Sequence, residues 1–295
     1  MSLPSTMDAI RLHPGGELRR EQIPVPAPAA GEALVRVHAA ALTRNELEWP
    51  TDRLPAIPSY ELAGEVVALG EGADGVATGQ AVWALTSFDH DGVAAQYAAV
   101  SADRLAPRPR RLTDLESAAV PLAGLSAWQG LFTHGGLQSG ERVLIHGAAG
   151  GVGGFATQLA AQRGAHVIGT ASGPSVDDAR ALGAAQVVDN ATQRFEDEVE
   201  PVDLVFDTAG GDRLRRSSAV LKPGGRIVSV AEEQEGAVHY LVESDRAQLT
   251  ELARLADAGD LRSAVDSVFG FDEAEAAFAR NQEPGKRGKV VLRVA

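Results

Sequence analysis

The residues with the greatest chemical potential lie in "VLIHGAAGGVGGFATQLA", residues 143 to 160. An apolar strand runs into a glycine cluster, and the cluster runs into an Ala-rich amphipathic segment. Ala148, Gly150 and Gly153 stand at the three positions of a G-x-G-x-x-G turn, with Ala148 in place of the first glycine. In such a turn one glycine allows the tight bend, the next lets backbone approach a pyrophosphate, and the last permits close helix–strand packing. The helix N-terminus adds free N–H groups and a positive dipole end. A glycine-rich corner alone fits a purely structural turn equally well, so context must decide. Here strand, turn, helix and second strand follow within one unit of ~30 residues. The expectation is a phosphate cradle for a dinucleotide, formed by Gly150, Gly151, Val152 and Gly153.

The second strand narrows the choice of dinucleotide. NAD sites place an Asp or Glu ~20 residues on, where it accepts hydrogen bonds from the ribose 2′-OH. Here that strand ends "GTASGPS", with Ala171 near the expected place and no carboxylate beside it. An acid there would repel a 2′-phosphate, so its absence favours NADP. Ser172 and Ser175 offer hydroxyl donors, and Arg180 is the first cation downstream.

These residues need a scaffold, and composition bounds it. The chain has 295 residues, 44% of them hydrophobic, enough for two domains with their own cores. Lys and Arg total 27 against 40 Asp and Glu, a net charge of -13, which argues against nucleic acid as a partner. The one dense basic run, "RPRR" at 108–111, reads as a solvated loop. With no cysteine there is no disulfide, thiol nucleophile or Cys-based zinc site. No signal peptide is expected from the opening residues, and no stretch approaches ~18 uninterrupted apolar residues, so no membrane span is expected. The expected location is the cytoplasm.

The order of the elements points to an α/β chain in two parts. Residues 1–125 read as short strands at 32–42, 64–70, 79–86 and 93–100 between Gly, Asp and Pro clusters, suggesting a small barrel or sandwich. A helix is expected over 114–132. Beyond it strands and helices alternate, with helices at 151–163, 175–182 and 212–221, the sign of βαβ units and a parallel sheet. "RAQLTELARLADAG" carries Leu249, Leu252, Ala253 and Ala256 on one face and stops at Gly259. Near the end, Asp272 and Glu275 are spaced as a helix-start capping pair.

Read with "IPSYELAGEVVALGEGADG", "GLSAWQGL", "VFDTAGG", "KPGGRIVSVA" and "RGKVVLRV", the glycine corner resembles the medium-chain dehydrogenase/reductase superfamily, specifically its zinc-free quinone oxidoreductase branch. The resemblance covers nearly the whole chain. It implies a GroES-like β-rich substrate domain over 1–125, completed by 265–295, a Rossmann doubly wound parallel-sheet domain over 126–264, and a homodimer. Where zinc-dependent relatives carry Cys, His and Cys as ligands, this chain has Thr43, Tyr60 and Leu122, while the neighbouring Glu61 is kept. The expectation is therefore no zinc and no other metal. Lacking a Lewis acid, such a site suits hydride transfer from NADPH to an electron-poor small molecule, a quinone or an α,β-unsaturated carbonyl.

Carried over residue by residue, the resemblance puts Ser126 near the nicotinamide and Ser172 near the 2′-phosphate, and counts Thr170 among the cofactor-binding residues. Asn190 falls where relatives have a Tyr near the adenosine. Thr208, Ala209, Val230, Ala231, Leu241 and Val242 match strand ends facing the cofactor. Thr43 replaces an Asn beside the nicotinamide and, with Tyr60, is a candidate catalytic residue. Tyr60 has two readings, a hydroxyl that donates a proton and a pocket-lining ring. Asn45 and Trp49, with Glu46, either line the substrate pocket beside Tyr60 or cap and pack locally. His90 in "FDHDG" reads as a turn residue, because adjacent carboxylates rarely converge on one ion. Two rival functions stay open: an enoyl-thioester reductase, and an NADP(H)-binding sensor without turnover.

Overall fold

The computed structural model describes residues 3–49 and 52–295. The chain divides into two compact units, one made of Met1–Leu122, Ser244–Gly259 and Ser263–Ala295, the other of Ala123–Glu243 and Asp260–Arg262.

The first unit opens with β1 (Thr6–Leu12), β2 (Leu18–Pro24), β3 (Glu32–Leu42), β4 (Glu61–Leu69), β5 (Ala81–Leu85), β6 (Tyr97–Ser101) and β7 (Ala106–Pro107). β1 and β2 form an antiparallel ribbon. β3 is the hub of the main sheet, pairing with both β4 and β6. Its run "EALVRVHAAAL" is buried along almost its whole length, which is why it lacks a clean polar alternation. The strand expected at 93–100 begins only at Tyr97. Residues 94–96 serve β1 instead: Ile10 N–H donates to Ala94 O (2.8 Å), Gln96 N–H donates to Asp8 O (3.0 Å), and Ala95 bridges to Ala9.

The helix expected over 114–132 is broken. α1 (Asp114–Ala118) starts at a capping box in which Thr113 Oγ1 accepts the Glu116 N–H at 3.3 Å and Glu116 Oε2 accepts the Thr113 N–H at 2.8 Å. Pro121, which has no N–H and a preset φ, opens α2 (Pro121–Trp128). A π-helical turn, Gln129–His134, follows. α1 closes on the first unit over small residues, Ala39, Ala41 and Ala63, which with Ala118, Ala119 and Val291 make a separate apolar cluster.

The second unit alternates as expected: β8 (Arg142–His146), α3 (Gly151–Gln162), β9 (His166–Ala171), α4 (Ser175–Ala181), β10 (Gln186–Asp189), α5 (Phe195–Glu198), β11 (Val202–Asp207), α6 (Asp212–Arg216), β12 (Leu221–Ser229) and β13 (Val238–His239). The helix expected to reach 221 ends at Arg216. There Ser217 Oγ bonds back to Arg213 O (2.8 Å), and one 3₁₀ turn takes over. All six strands are parallel, in the order β10-β9-β8-β11-β12-β13. That order reverses direction between β8 and β11, and ligands of open α/β sheets bind outside the strand ends at such a switch point.

The first unit then resumes. α7 (Arg246–Ala258) is capped by Asp245, whose Oδ1 accepts the Gln248 N–H at 2.9 Å, and ends at Gly259. Leu249, Leu252, Ala253 and Ala256 are buried, as their spacing predicts. The helix packs against β7, so residues 246–258, which the sequence reading gives to the second domain, group with the first unit. β14 (Val265–Gly270), α8 (Ala274–Gln282) and β15 (Lys289–Arg293) complete the sheet in the order β14-β15-β3-β4-β5-β7. The expected Asp272/Glu275 cap is replaced by Glu273, whose Oε2 accepts the Gly270 N–H at 2.7 Å.

Candidate functional site

In the second unit the glycine corner follows β8, as a cradle requires. Its tight bend falls one residue earlier than the motif register suggests. Gly147 has φ +74°, a left-handed conformation, while Ala148 is an ordinary buried residue. Gly153 is demanded by packing, since a Cβ there would lie 2.0 Å from Gly147 O. At Gly151 an added Cβ meets nothing within 4 Å, so backbone is open to approach. α3 begins here with Gly150 as its cap, and the first-turn amides of Gly151, Val152 and Gly153 have no acceptor within the helix. Open backbone, unspent donors and a helix dipole fit a diphosphate.

Neighbouring strand ends fix the corner. Thr208 Oγ1 donates to His146 O at 2.7 Å, tying the end of β11 to the end of β8. Thr170 Oγ1 accepts the Gly147 N–H (3.3 Å) and lies 3.2 Å from His146 Nδ1, so this buried threonine pins the turn. His146 Nε2 is 3.0 Å from Ser217 Oγ. Burial, with the charges of Arg213 and Arg216, pushes its pKa down to about 3, so the ring is neutral. Ser172 is exposed beyond the end of β9, and the Asn190 N–H donates to Ala171 O at 2.9 Å. Sequence reasoning missed one carboxylate: Asp189 is the register partner of Ala171, and its Oδ1 accepts the Ala191 N–H at 3.0 Å. Ala209 N–H donates to Asp207 Oδ1, Val230 N–H to Asp207 O, and Ala231 N–H to Ser229 Oγ, so these residues shape the loops after β11 and β12. Ser126 is buried with its Oγ unpartnered among the described residues, and Tyr240 Oη donates to its carbonyl. Leu241 is 81% exposed and Val242 half-buried.

The first unit holds a second constellation, one that the sequence reading only half foresaw. β3 ends at Leu42, and the next residue, Thr43, begins a turn. Its Oγ1 donates to Glu61 Oε1 (3.1 Å) at the start of β4 and accepts from Lys289 Nζ (2.8 Å) at the start of β15. Lys289 Nζ also lies 2.5 Å from Glu61 Oε1, and Glu61 Oε2 accepts the Leu122 N–H at 2.8 Å. Glu46 caps the same turn, its Oε2 accepting the Thr43 N–H at 3.1 Å. Of the two open readings of Glu46, local capping describes this oxygen. Lys289 was missed because "RGKVVLRV" reads as an ordinary closing strand, and only strand pairing brings it to Thr43.

Tyr60 is packed in an aromatic cluster, stacked on Trp49 (ring centroids 5.7 Å) and edge-on to Phe88 (5.2 Å). Its hydroxyl accepts from Arg53 Nη2 at 3.2 Å, and burial raises its pKa against the pull of the Arg53 charge. Asn45 stands apart, exposed, with φ 61° and no capping bond from its side chain. Around His90 the carboxylates serve the loop: Asp91 Oδ1 accepts the Ile57 N–H (2.9 Å), and Asp89 Oδ2 accepts from Ser87 Oγ (3.4 Å). Arg108 of the basic run is paired with Asp114 at 3.0 Å rather than freely solvated.

Residues 29–110 match the alcohol dehydrogenase GroES-like domain, and residues 182–292 match the zinc-binding dehydrogenase family. The chain is 31% identical to a probable zinc-binding oxidoreductase, mitochondrial, of Arthroderma benhamiae, over 95% of this chain and 94% of that one. It is 30% identical to 2-methylene-furan-3-one reductase of Solanum lycopersicum, over 99% and 80%. Among solved structures, the quinone oxidoreductase from Coxiella burnetii superposes with a TM-score of 0.90 at 32% identity, covering 98% of this chain and all of that one. The chain belongs to the medium-chain dehydrogenase/reductase superfamily, with a GroES-like domain and a Rossmann-like parallel sheet, and is an oxidoreductase.

Zinc, implied by the second family match, does not suit the residues present. The positions that the resemblance equates with zinc ligands, Thr43, Tyr60 and Leu122, carry a hydroxyl, a phenol and an aliphatic side chain, and the ammonium of Lys289 already bonds Thr43 and Glu61. Among the described residues no group of three or more His, Asp or Glu could hold a metal ion. No described helix is long and apolar enough to cross a membrane.

Proposed function

We propose that the chain is a zinc-independent, NADPH-dependent reductase that acts on a quinone or an α,β-unsaturated carbonyl. The observation that carries this reading is the ammonium of Lys289 bonded to Glu61 and to Thr43, a position that the resemblance equates with a zinc ligand. An acceptor that needs no metal to polarise it is one whose carbonyl is already conjugated. The Solanum relative's name describes such a compound, and the Coxiella neighbour is named for quinones.

Gly150, Gly151, Val152 and Gly153 would hold the diphosphate on open backbone, with Ser172 beside the adenosine ribose. NADP is favoured because Ala171 occupies the place of an acid at the end of β9. Bound there, the nicotinamide supplies a hydride. Thr43 and Tyr60, with Trp49, are proposed to orient the acceptor. The same reading takes the chain as a cytoplasmic homodimer.

Absorbance of the reduced cofactor tests the reading. Pure protein is given NADPH or NADH and then a quinone, an aliphatic enone or an enoyl thioester. Oxidation of NADPH with a quinone or enone is expected. Turnover of the thioester alone makes the chain an enoyl reductase, and binding without turnover of any acceptor makes it a sensor. Sedimentation at equilibrium tests the dimer, and a particle of one chain's mass removes it.

A further inference from the structure

The π-helical turn that follows α2 has its cause far along the chain, at the residue just beyond β13. In an α-helix the Gly130 N–H would donate to Ser126 O, one turn back. Here the Tyr240 hydroxyl joins the two instead: it donates to Ser126 O and takes the Gly130 N–H. A side chain inserted into the helical ladder forces a local change of period. That change shows where the Gly135 N–H donates to Gly130 O at 2.9 Å, the longer step of a π turn. Burial raises the pKa of the Tyr240 phenol, so it stays a neutral O–H that donates and accepts at once. Glycine at 130 makes the approach possible, because a Cβ there would lie 2.2 Å from Phe206 Cε2 and 2.7 Å from Tyr240 Oη. His134, at the end of the π turn, stacks on the Tyr240 ring with centroids 4.5 Å apart.

A second anchor follows shortly after the first. Gln129 Nε2 donates to Glu243 O (2.8 Å), and Gln129 Oε1 accepts the Glu243 N–H (3.0 Å). Leu241 and Val242 are thereby held at both ends, through Tyr240 and through Glu243. Between the anchors the main chain of these two residues makes no hydrogen bond among the described residues, and Leu241 is 81% exposed. The segment is fixed and accessible, with its N–H and C=O groups unspent. Phe206, against which Gly130 and Tyr240 pack, puts the assembly at the end of β11, beside the reversal of strand order. We propose that Tyr240 and Gln129 are positioning residues that hold the Leu241–Val242 segment rigid against the nicotinamide of NADPH. This role rests on the reading of the chain as an NADPH-dependent reductase whose residues 241 and 242 face the cofactor. Neither side chain touches the reacting atoms. Each acts through the backbone it ties down, so that no ordering of the segment has to accompany binding.

Tyr240→Phe keeps the ring and removes only the inserted hydroxyl, and Gln129→Met keeps the length and removes the second anchor. The first measurement needs no turnover. Affinity is measured by calorimetry for NADPH and for 2′-phospho-ADP-ribose, which has the adenosine, the diphosphate and both riboses but no nicotinamide. Each variant should bind NADPH about tenfold more weakly than the natural protein, while 2′-phospho-ADP-ribose binds all three proteins equally. The second measurement is steady-state kinetics with a quinone or enone. In both variants KM for NADPH should rise about tenfold while KM for the acceptor stays unchanged. Undiminished NADPH affinity in both variants overturns the role. So does an equal loss for both ligands, since a general loosening of the unit does not single out the nicotinamide. A natural protein that binds neither ligand overturns the cofactor reading and this role together, whereas one that binds both, with variants that lose nothing, overturns the role alone.

Discussion

The ammonium of Lys289 lies 2.5 Å from the carboxylate of Glu61, and both side chains are withdrawn from solvent. Removing one member of a buried ion pair leaves the other charge uncompensated, which typically costs about 3–5 kcal/mol. Lys289→Met should lower the unfolding free energy by that order, measured by urea denaturation. Glu61→Gln combined with Lys289→Met should recover part of the loss, because no bare carboxylate remains.

The diphosphate assignment has its own test at the head of α3. Gly150→Asp sets a carboxylate where the helix dipole and free amides await an anion. The position has φ -72°, which any residue adopts, and an added Cβ would lie 3.1 Å from Gly147 O, so the turn must give by a few tenths of an ångström. NADPH affinity, followed by fluorescence of the reduced nicotinamide, should fall roughly 100-fold or more with the fold intact by circular dichroism. Unchanged affinity removes the cradle.

Cofactor choice is expected to turn on Ala171. Ala171→Asp places an acid at the end of β9, where it can accept from a ribose 2′-OH and repel a 2′-phosphate. The ratio of NADPH to NADH affinity should reverse in favour of NADH. If the unaltered protein already prefers NADH, the NADP assignment is wrong.

His146 gives a prediction for acid stability. Its folded pKa of about 3 lies below the ordinary 6.5, so protons bind the unfolded chain more readily. The stabilisation is complete above 6.5 and is lost as pH falls towards 3, by up to ~1.4 kcal/mol per pH unit. Urea unfolding across that range should show a steeper loss for the natural protein than for His146→Gln.

The parallel sheet was readable because its cues are local. Strands such as "VDLVFD" carry a buried apolar run, here Leu204 to Phe206, helix faces repeat at helical spacing, and Gly164 and Gly259 stop their helices on time. The corner at 147–153 was readable for the same reason, apart from the exchange of roles between Ala148 and Gly147. What sequence could not supply was juxtaposition. Glu61 was noticed beside Tyr60, but its partner is Lys289, brought to it by β15 pairing with β3. Asp189 leaves no signal along β9, because the carboxylate arrives from the next strand. The π-helical turn at 129–134 likewise has no periodic signature in the sequence.

Lys289 and Thr43 are 246 positions apart in the chain, yet they share a hydrogen bond inside one unit. On the ribosome, Ala123–Glu243 emerges as a nearly complete block while the earlier strands still wait for β15. The unit that is begun first is thus finished last, and a nascent chain halted before residue 289 carries Glu61 with no counter-charge.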